Sequence, residues 1–297
     1  MDKNILSELS PTGCNIKQNE PLSKHTTLGI GGNADYFVEI FNEQQLIQVL
    51  KFIYNNKIKF YIIGGGSNIL FSDEGFRGII IKLCGDFCKY EIQENQIICG
   101  SAVNLSFLSK MTADRELSGL EYFVGIPGTV GGAIYGNAGI KNLSVSSVLD
   151  KVEVVNFTGK KEILTKKDLK FEYRKSNLQQ CIIIRAFFIL KKTNKNDILK
   201  VILQEINKRK ISQPIGTKNA GCVFKNPKDD SAGRLIDSLN LKNYGIGGIK
   251  VSNIHANFII NESNGSAKDM LNLIEFIRNE VRKKYDINLE TEIKIIK

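Results

Sequence analysis

The chain has 297 residues, 42% of them apolar and 24% charged, with only 5 prolines. This composition excludes a disordered or collagen-like chain, and the length predicts two or three modest domains. The net charge of +10 suits an anionic partner, but the lysines are scattered in groups no larger than Lys208-Arg209-Lys210, so an anionic small substrate is expected and nucleic acid is not.

The N-terminal stretch MDKNILSELSPTGCNIKQNEPLSKH lacks the charged, apolar and small-residue segments of a signal peptide. No apolar run approaches the roughly 20 residues of a membrane span. A cytoplasmic protein without a membrane partner is therefore expected. Asn42 is placed to cap a helix through EQQLIQVLKFIYNN, with Leu46, Leu50, Ile53 and Tyr54 at helical spacing. KFYIIGGGSNILF reads as an apolar strand stopping in three glycines, and GFRGIIIKL as another strand. NLSFLSKMTADREL predicts a helix with Leu105, Leu108 and either Met111 or Thr112 on one face. VLDKVEVVNFTGKKEILT predicts two strands around Thr158-Gly159, with Val152, Val154 and Phe157 in the core. CIIIRAFFIL reads as a buried strand, and KNDILKVILQEINKRK as a helix with Ile198, Ile202 and Ile206 four apart. SAGRLIDSLNL and SAKDMLNLIEFIRNEVRKKY predict further helices, and NFIIN and INLETEIKIIK strands. Mixed elements without regular strand–helix alternation predict an α+β fold, with a boundary near KTNKND at 192–197.

Six cysteines are spread from Cys14 to Cys222. Cys84 and Cys88 form a C-x3-C, but no second pair follows and neither His25 nor His255 is near in sequence. No metal site is expected; reduced, mostly buried thiols are.

The chemistry-bearing stretches begin with glycine. LGIGGNAD, IIGGGSN and GIPGTVGGAIYGNAG put it where backbone must approach another group closely or turn with positive φ. Exposed N–H groups in such turns suit a pyrophosphate. Neither a P-loop nor a Rossmann fingerprint occurs. Three such stretches between Gly29 and Gly139 point to one extended cofactor.

HTTLGIGG, YIIGGGSNIL and GLEYFVGIPGTVGGAIYGNAG resemble the FAD-binding domain of para-cresol methylhydroxylase-type flavoproteins. The last stretch, followed by FEYRKS, NAGCVFKNP, GRLIDSLNLKNYGIGGIKVSNIHANFIIN and LETEIKII, resembles the UDP-N-acetylenolpyruvoylglucosamine reductase family. Matches run in order over nearly the whole chain, and no extra segment lies between Arg185 and Lys210, as in the family's shorter type. The resemblance implies a two-part FAD-binding domain over residues 1–82 and 83–195, and a C-terminal α+β domain for the UDP-sugar over 196–297. It places non-covalent FAD on Gly64, Gly65, Gly66, Ser67, Asn68, Pro127, Gly128, Thr129, Gly131, Gly132, Ala133, Asn137, Ala138 and Gly139. NADPH is the implied co-substrate.

The family reaction passes hydride from the reduced flavin to C3 of an enolpyruvyl ether while a protein acid protonates C2, giving UDP-N-acetylmuramate for peptidoglycan synthesis. Such chemistry needs an acid near C2 and cationic or hydrogen-bonding groups for charge on the carboxylate. By resemblance Arg174, in FEYRKS, Cys222, in NAGCVFKNP, and Glu292, in LETEIKII, form the catalytic set. Residues alone would make Arg174 a solvated cation and Cys222 a small buried residue, while alternation puts Ile287, Leu289, Ile293 and Ile295 on one face of a strand and Glu292 on its wet face. Cys222 stands where the family usually carries serine. Its thiol, with a pKa of about 8.5, is the stronger acid, but nearby cations could leave it as a thiolate unable to donate. Thr291 replaces the family's usual proline. Lys210, Asn226 and His255 match substrate-contacting positions, His255 being equally readable as a structural histidine. An FAD-dependent sugar or hydroxy-acid oxidase on the same fold is the alternative; it would lack NAGCVFKNP and LETEIKII.

Overall fold

Asn42 accepts the backbone N–H of Gln45 on its side-chain oxygen at 3.0 Å and so starts the helix Glu43–Asn55, which buries Leu46, Val49, Leu50 and Ile53. Asn104 likewise accepts from Phe107 at 2.8 Å and starts Leu105–Asp114, where Thr112, not Met111, completes the buried face. The structure, a computed structural model, describes residues 2–140 and 143–297. Contacts divide the chain into two units. One comprises the chain up to Gln18, Tyr36–Gly65 and Gly78–Ile206; the other comprises Asn19–Asp35, Gly66–Arg77 and Asn207–Lys297.

The first unit holds an antiparallel five-stranded sheet in the order Lys161–Thr165, Leu149–Asn156, Cys181–Ile189, Gln96–Gly100, Tyr90–Gln93. The hairpin at Thr158-Gly159 is present, with Val152 and Val154 buried and Gly159 at φ 86°. These strands share a core with Leu105, Leu108, Val130 and Ile134. A second sheet contains Phe60–Ile63 paired in parallel with Phe76–Leu83, Phe60 opposite Ile79. The apolar stripe of Glu43–Asn55 packs into that sheet's core with Val38, Ile40, Ile79 and Ile81. Ile198, Ile202 and Ile206 of the helix Lys195–Ser212 pack with Ala113 and Val124.

The second unit contains the antiparallel order Asn219–Cys222, Phe258–Asn261, Ile249–Val251, Gly245–Ile246. The helix Ala267–Tyr285 opens with a capping box between Ser266 and Asp269 and closes at Asp286 in the left-handed conformation, φ 54°. Its buried face, Met270, Leu273, Ile277 and Val281, shares a core with Leu235, Leu289 and Ile293. Burying each such side chain contributes roughly 1.5–3 kcal/mol. The fold is α+β, as the element pattern predicts.

Two expectations need correction. INLETEIKIIK forms a strand only over Lys294–Ile296, paired in parallel with Ile69–Phe71; Thr291 makes a lone antiparallel bridge to Phe224. Glu292 therefore lies in an irregular, half-buried segment, not on a strand's wet face. Leu289 and Ile293 alternate inward because they fill the core, which requires no ladder. No disulfide joins any of the six cysteines, but only Cys99 is buried; Cys88 is exposed and the rest half-buried. Burial pushes the Cys99 thiol up to about 12 and that of Cys181 up to about 11. Among the described residues, no three Cys, His, Asp or Glu side chains gather as a metal site would need, and no helix is long and apolar enough to cross a membrane.

Candidate active site

In the first unit the strand Phe60–Ile63 runs directly into Gly64 and Gly65, which lie against the turn before the helix Val130–Tyr135. A Cβ on Gly64 would stand 2.7 Å from Thr129 Oγ1, and one on Gly65 3.0 Å from Gly128 Cα. Thr129 is the cap of that helix, its hydroxyl oxygen accepting the Gly132 N–H at 3.3 Å. Gly131 donates its N–H to the Ser101 carbonyl at 2.8 Å, and a Cβ there would meet Ser101 Cβ at the same distance. Ala133 is buried, and Ala138 donates back to its carbonyl at 2.7 Å. Pro127 opens this turn, and Gly128 takes φ 119°. Only glycine allows backbones to close to this degree.

These residues suit FAD in two respects. Backbone rather than side chain forms the wall, leaving peptide groups to approach a ligand. Two buried polar atoms, Asn137 Oδ1 and Ser101 Oγ, have no hydrogen-bond partner among the described residues, as expected where a bound group supplies one.

Arg174 belongs to the same unit. FEYRKS folds as a minimal hairpin, Phe171–Glu172 with Lys175–Ser176, and Arg174 sits in its turn at φ 57°. Three bonds fasten the hairpin to the YGNAG stretch, residues 135–139. Asn137 Nδ2 donates to the Glu172 carbonyl at 2.9 Å, Arg174 Nη1 to the Gly139 carbonyl at 3.1 Å, and the buried Ser176 hydroxyl to the Tyr135 carbonyl at 2.8 Å. The hairpin and Asn137–Gly139 are thus one assembly, and the guanidinium is aimed by backbone rather than left in solvent.

In the second unit Gly66 takes φ 63° and packs so tightly on the chain at His25 that a Cβ would fall 1.9 Å from the His25 carbonyl oxygen. Ser67 and Asn68 follow. Asn68 Nδ2 donates to the Glu292 carbonyl at 3.3 Å, and the Asn68 carbonyl accepts the Lys294 N–H at 3.0 Å. Glu292 in turn donates its N–H to the Val223 carbonyl at 2.7 Å, and Lys225 donates to the Glu290 carbonyl at 2.8 Å. The segment after Cys222 thus runs alongside the one carrying Glu292. Cys222 itself is half-buried at the end of Asn219–Cys222, opposite Phe258, after a break in register. Gly221 before it takes φ 76° with open space around it.

Of the expected substrate residues, Asn226 and His255 both touch the helix Ala232–Asp237. Asn226 Oδ1 accepts the Ala232 N–H at 3.1 Å, and the His255 ring lies so close to Gly233 that a Cβ would meet Cε1 at 3.1 Å. Burial holds the His255 pKa below its ordinary value, Lys242 adding to this and Asp237 opposing it. Its Nδ1 accepts the Asn257 N–H at 3.1 Å, so the neutral ring carries its proton on Nε2 and offers a donor there. Lys210 is exposed in the last turn of Lys195–Ser212, and no hydrogen bond or ion pair joins it to Asn226 or His255 among the described residues.

Sequence reasoning missed Ser101, Ser176 and Asn257. Ser176 sits in the quoted FEYRKS and Asn257 in HANFIIN, but a small polar residue inside a motif does not announce which backbone group it grips. Ser101 had only the glycine before it as a signal.

Residues 213–296 match the family described as UDP-N-acetylenolpyruvoylglucosamine reductase, C-terminal domain, and residues 34–164 match an FAD binding domain family. The chain is 39% identical to UDP-N-acetylenolpyruvoylglucosamine reductase of Bacillus licheniformis, over 100% of this chain and 99% of the relative. It is 38% identical to the enzyme of the same name from Bacillus subtilis, over 95% and 94%. The crystal structure of UDP-N-acetylenolpyruvylglucosamine reductase from Thermus caldophilus superposes with a TM-score of 0.83 at 34% identity, covering 96% of this chain and 99% of that one.

Proposed function

This chain belongs to the UDP-N-acetylenolpyruvoylglucosamine reductase family, and from that premise we propose that it reduces UDP-N-acetylglucosamine enolpyruvate to UDP-N-acetylmuramate in peptidoglycan precursor synthesis. It is an FAD-dependent oxidoreductase with NADPH as co-substrate. FAD, when bound, would supply the hydride chemistry that links NADPH to C3 of the enolpyruvyl ether.

The chain's own residues do the rest. Gly64, Gly65, Gly128, Thr129, Gly131, Gly132 and Asn137 hold FAD through backbone and one buried amide. Pro127, Ala133, Ala138 and Gly139 shape that wall, and Gly66, Ser67 and Asn68 continue the first loop. Cys222 gives its Sγ proton to C2. Glu292 joins the catalytic group as the carboxylate on the segment whose backbone is bonded to Val223, the residue after Cys222. Arg174 meets the charge building on the substrate carboxylate, a role its planar fork fills better than a point charge. His255 offers its Nε2 proton, and Asn226 its amide, to the UDP-sugar; Lys210 supplies a cation. Residues 1–82 and 83–195 serve FAD and 196–297 the sugar, a division of labour distinct from the contact-based units. The cytoplasm, where NADPH is available, is the place for it.

The observation that carries this reading is the hydrogen bond from Glu292 N–H to the Val223 carbonyl, which joins the acid loop to the distant carboxylate segment. The test is direct. Purified protein should be yellow and should oxidise NADPH only when the UDP-enolpyruvyl sugar is present. A preparation that neither holds FAD nor accepts it, or whose NADPH oxidation ignores the sugar, would end the proposal.

A further inference from the structure

Asn257 is 2% exposed and lies between His255 and the strand Phe258–Asn261. Its side chain grips both backbone groups of one residue. Oδ1 accepts the Phe224 N–H at 2.9 Å, and Nδ2 donates to the Phe224 carbonyl at 2.8 Å. Its main chain is equally engaged. The Asn257 carbonyl accepts the Val223 N–H at 2.8 Å, and its N–H goes to His255 Nδ1 at 3.1 Å. From elsewhere in the same unit, the Val223 carbonyl accepts the Glu292 N–H.

The ladder between Asn219–Cys222 and Phe258–Asn261 breaks register before Cys222. Beyond that break the backbone of Phe224 has no sheet partner in Phe258–Asn261, and the Asn257 amide takes the place of one. A carboxamide is suited to this because one terminus carries both a donor and an acceptor. Leucine would leave both Phe224 groups buried and unpaired, and aspartate would pair only the N–H. The two residues after Cys222 are therefore clamped by Asn257, while Val223 also holds the segment that carries Glu292.

We infer that Asn257 is a positioning residue for the proton-transfer half of the reaction, holding the Cys222 loop in the register that sets its thiol beside the Glu292 segment. This rests on the reading of Cys222 as the acid. A purely structural amide would lower stability and leave both half-reactions alike. A positioning amide separates them, because only the second needs a proton delivered to carbon.

The experiment compares Asn257→Asp, Asn257→Ala and Cys222→Ala with wild type as FAD-loaded full chains. Stopped-flow absorbance follows anaerobic flavin reduction by NADPH, then reoxidation by the UDP-enolpyruvyl sugar, in H2O and D2O. In the Asn257 variants, reduction should stay within about twofold while reoxidation slows by about ten- to a hundredfold, the usual penalty of a small misplacement. The solvent isotope effect on reoxidation should rise as proton delivery becomes limiting. If Asn257→Ala does not fold, Asn257→Asp, which keeps the volume and the acceptor, carries the comparison. Loss of FAD from both variants, equal slowing of both half-reactions, or wild-type reoxidation would each overturn the proposal. Wild-type reoxidation in Cys222→Ala would instead remove the acid assignment itself, so the two failures are distinguishable.

Discussion

Glu292 donates its backbone N–H to the carbonyl of Val223 at 2.7 Å, one residue past Cys222. Around this bond, Lys225 N–H meets the Glu290 carbonyl, and the side chains of Lys225 and Glu290 pair at 3.0 Å. Glu292 and Cys222 thus sit on segments whose backbones are tied together. That arrangement explains how Thr291 can stand in place of proline: the position of Glu292 is set by backbone bonds to its neighbours, so a rigid φ at 291 is not required.

If Cys222 is the acid, Cys222→Ala leaves reduction of the flavin by NADPH unchanged and slows its reoxidation by at least about a hundredfold, in line with loss of a general acid. Cys222→Ser should recover part of that rate, because a hydroxyl occupies the same position and carries a transferable proton. Identical reoxidation in the alanine variant and wild type would return Cys222 to a packing role.

Arg174→Lys should keep FAD and lose turnover by about ten- to a thousandfold, because an ammonium cannot reproduce a bidentate fork at a developing charge. The hairpin itself should persist, held by the Ser176 and Asn137 bonds. Steady-state NADPH oxidation and flavin content of the same sample decide the matter; near-normal turnover would take Arg174 out of the mechanism.

Gly64→Ala puts a Cβ 2.7 Å from Thr129 Oγ1. The Thr129 side chain must then leave its capping position, costing the helix Val130–Tyr135 about 1 kcal/mol. FAD should bind up to about fivefold more weakly if that loss is carried into binding, since each ~1.4 kcal/mol is a factor of ten. Flavin fluorescence on dilution measures this, and unchanged retention would show that the Gly64–Thr129 contact lies outside the cofactor wall.

Burial holds His255 below its ordinary value of 6.5 in the folded chain. The unfolded chain therefore takes up a proton more readily, so this part of the stability is present above pH 6.5 and is lost as pH falls through the depressed folded value. Protonating Nδ1 also deprives the Asn257 N–H of its acceptor. His255→Gln should flatten the decline of the urea midpoint below that pH. A decline as steep as wild type would place its origin in other groups.

Much of the fold was legible in residue order alone. Asn42, Asn104 and Ser266 announce helix starts because a short polar side chain can satisfy an N–H that the first turn leaves unpaired. Helical spacing of Leu46, Leu50 and Ile53, or of Ile198, Ile202 and Ile206, marks a stripe that packs inward whatever it meets, whereas Tyr54, read on the same face, is exposed at the stripe's edge. The glycines of GGGSN and PGTVGG signal close approach because no other residue permits it. What they approach is not written locally: that Gly65 lies on Gly128, or Gly66 on His25, follows only from the folded chain.

The final segment shows where this limit lies. Alternation at Ile287, Leu289, Ile293 and Ile295 correctly marked Leu289 and Ile293 as buried, yet the strand is confined to Lys294–Ile296. Periodicity reports which side faces the core; a ladder needs a partner backbone, and only tertiary structure supplies one. For the same reason residue types alone set the chemistry on offer, an arginine fork, a thiol, a carboxylate and glycine-lined turns, since each resides in a kind of side chain or its absence. Tertiary structure decided which backbones aim those groups. A hydrogen bond between distant segments, such as Glu292 to Val223 or Asn257 to Phe224, uses atoms every residue has and leaves no mark on the sequence.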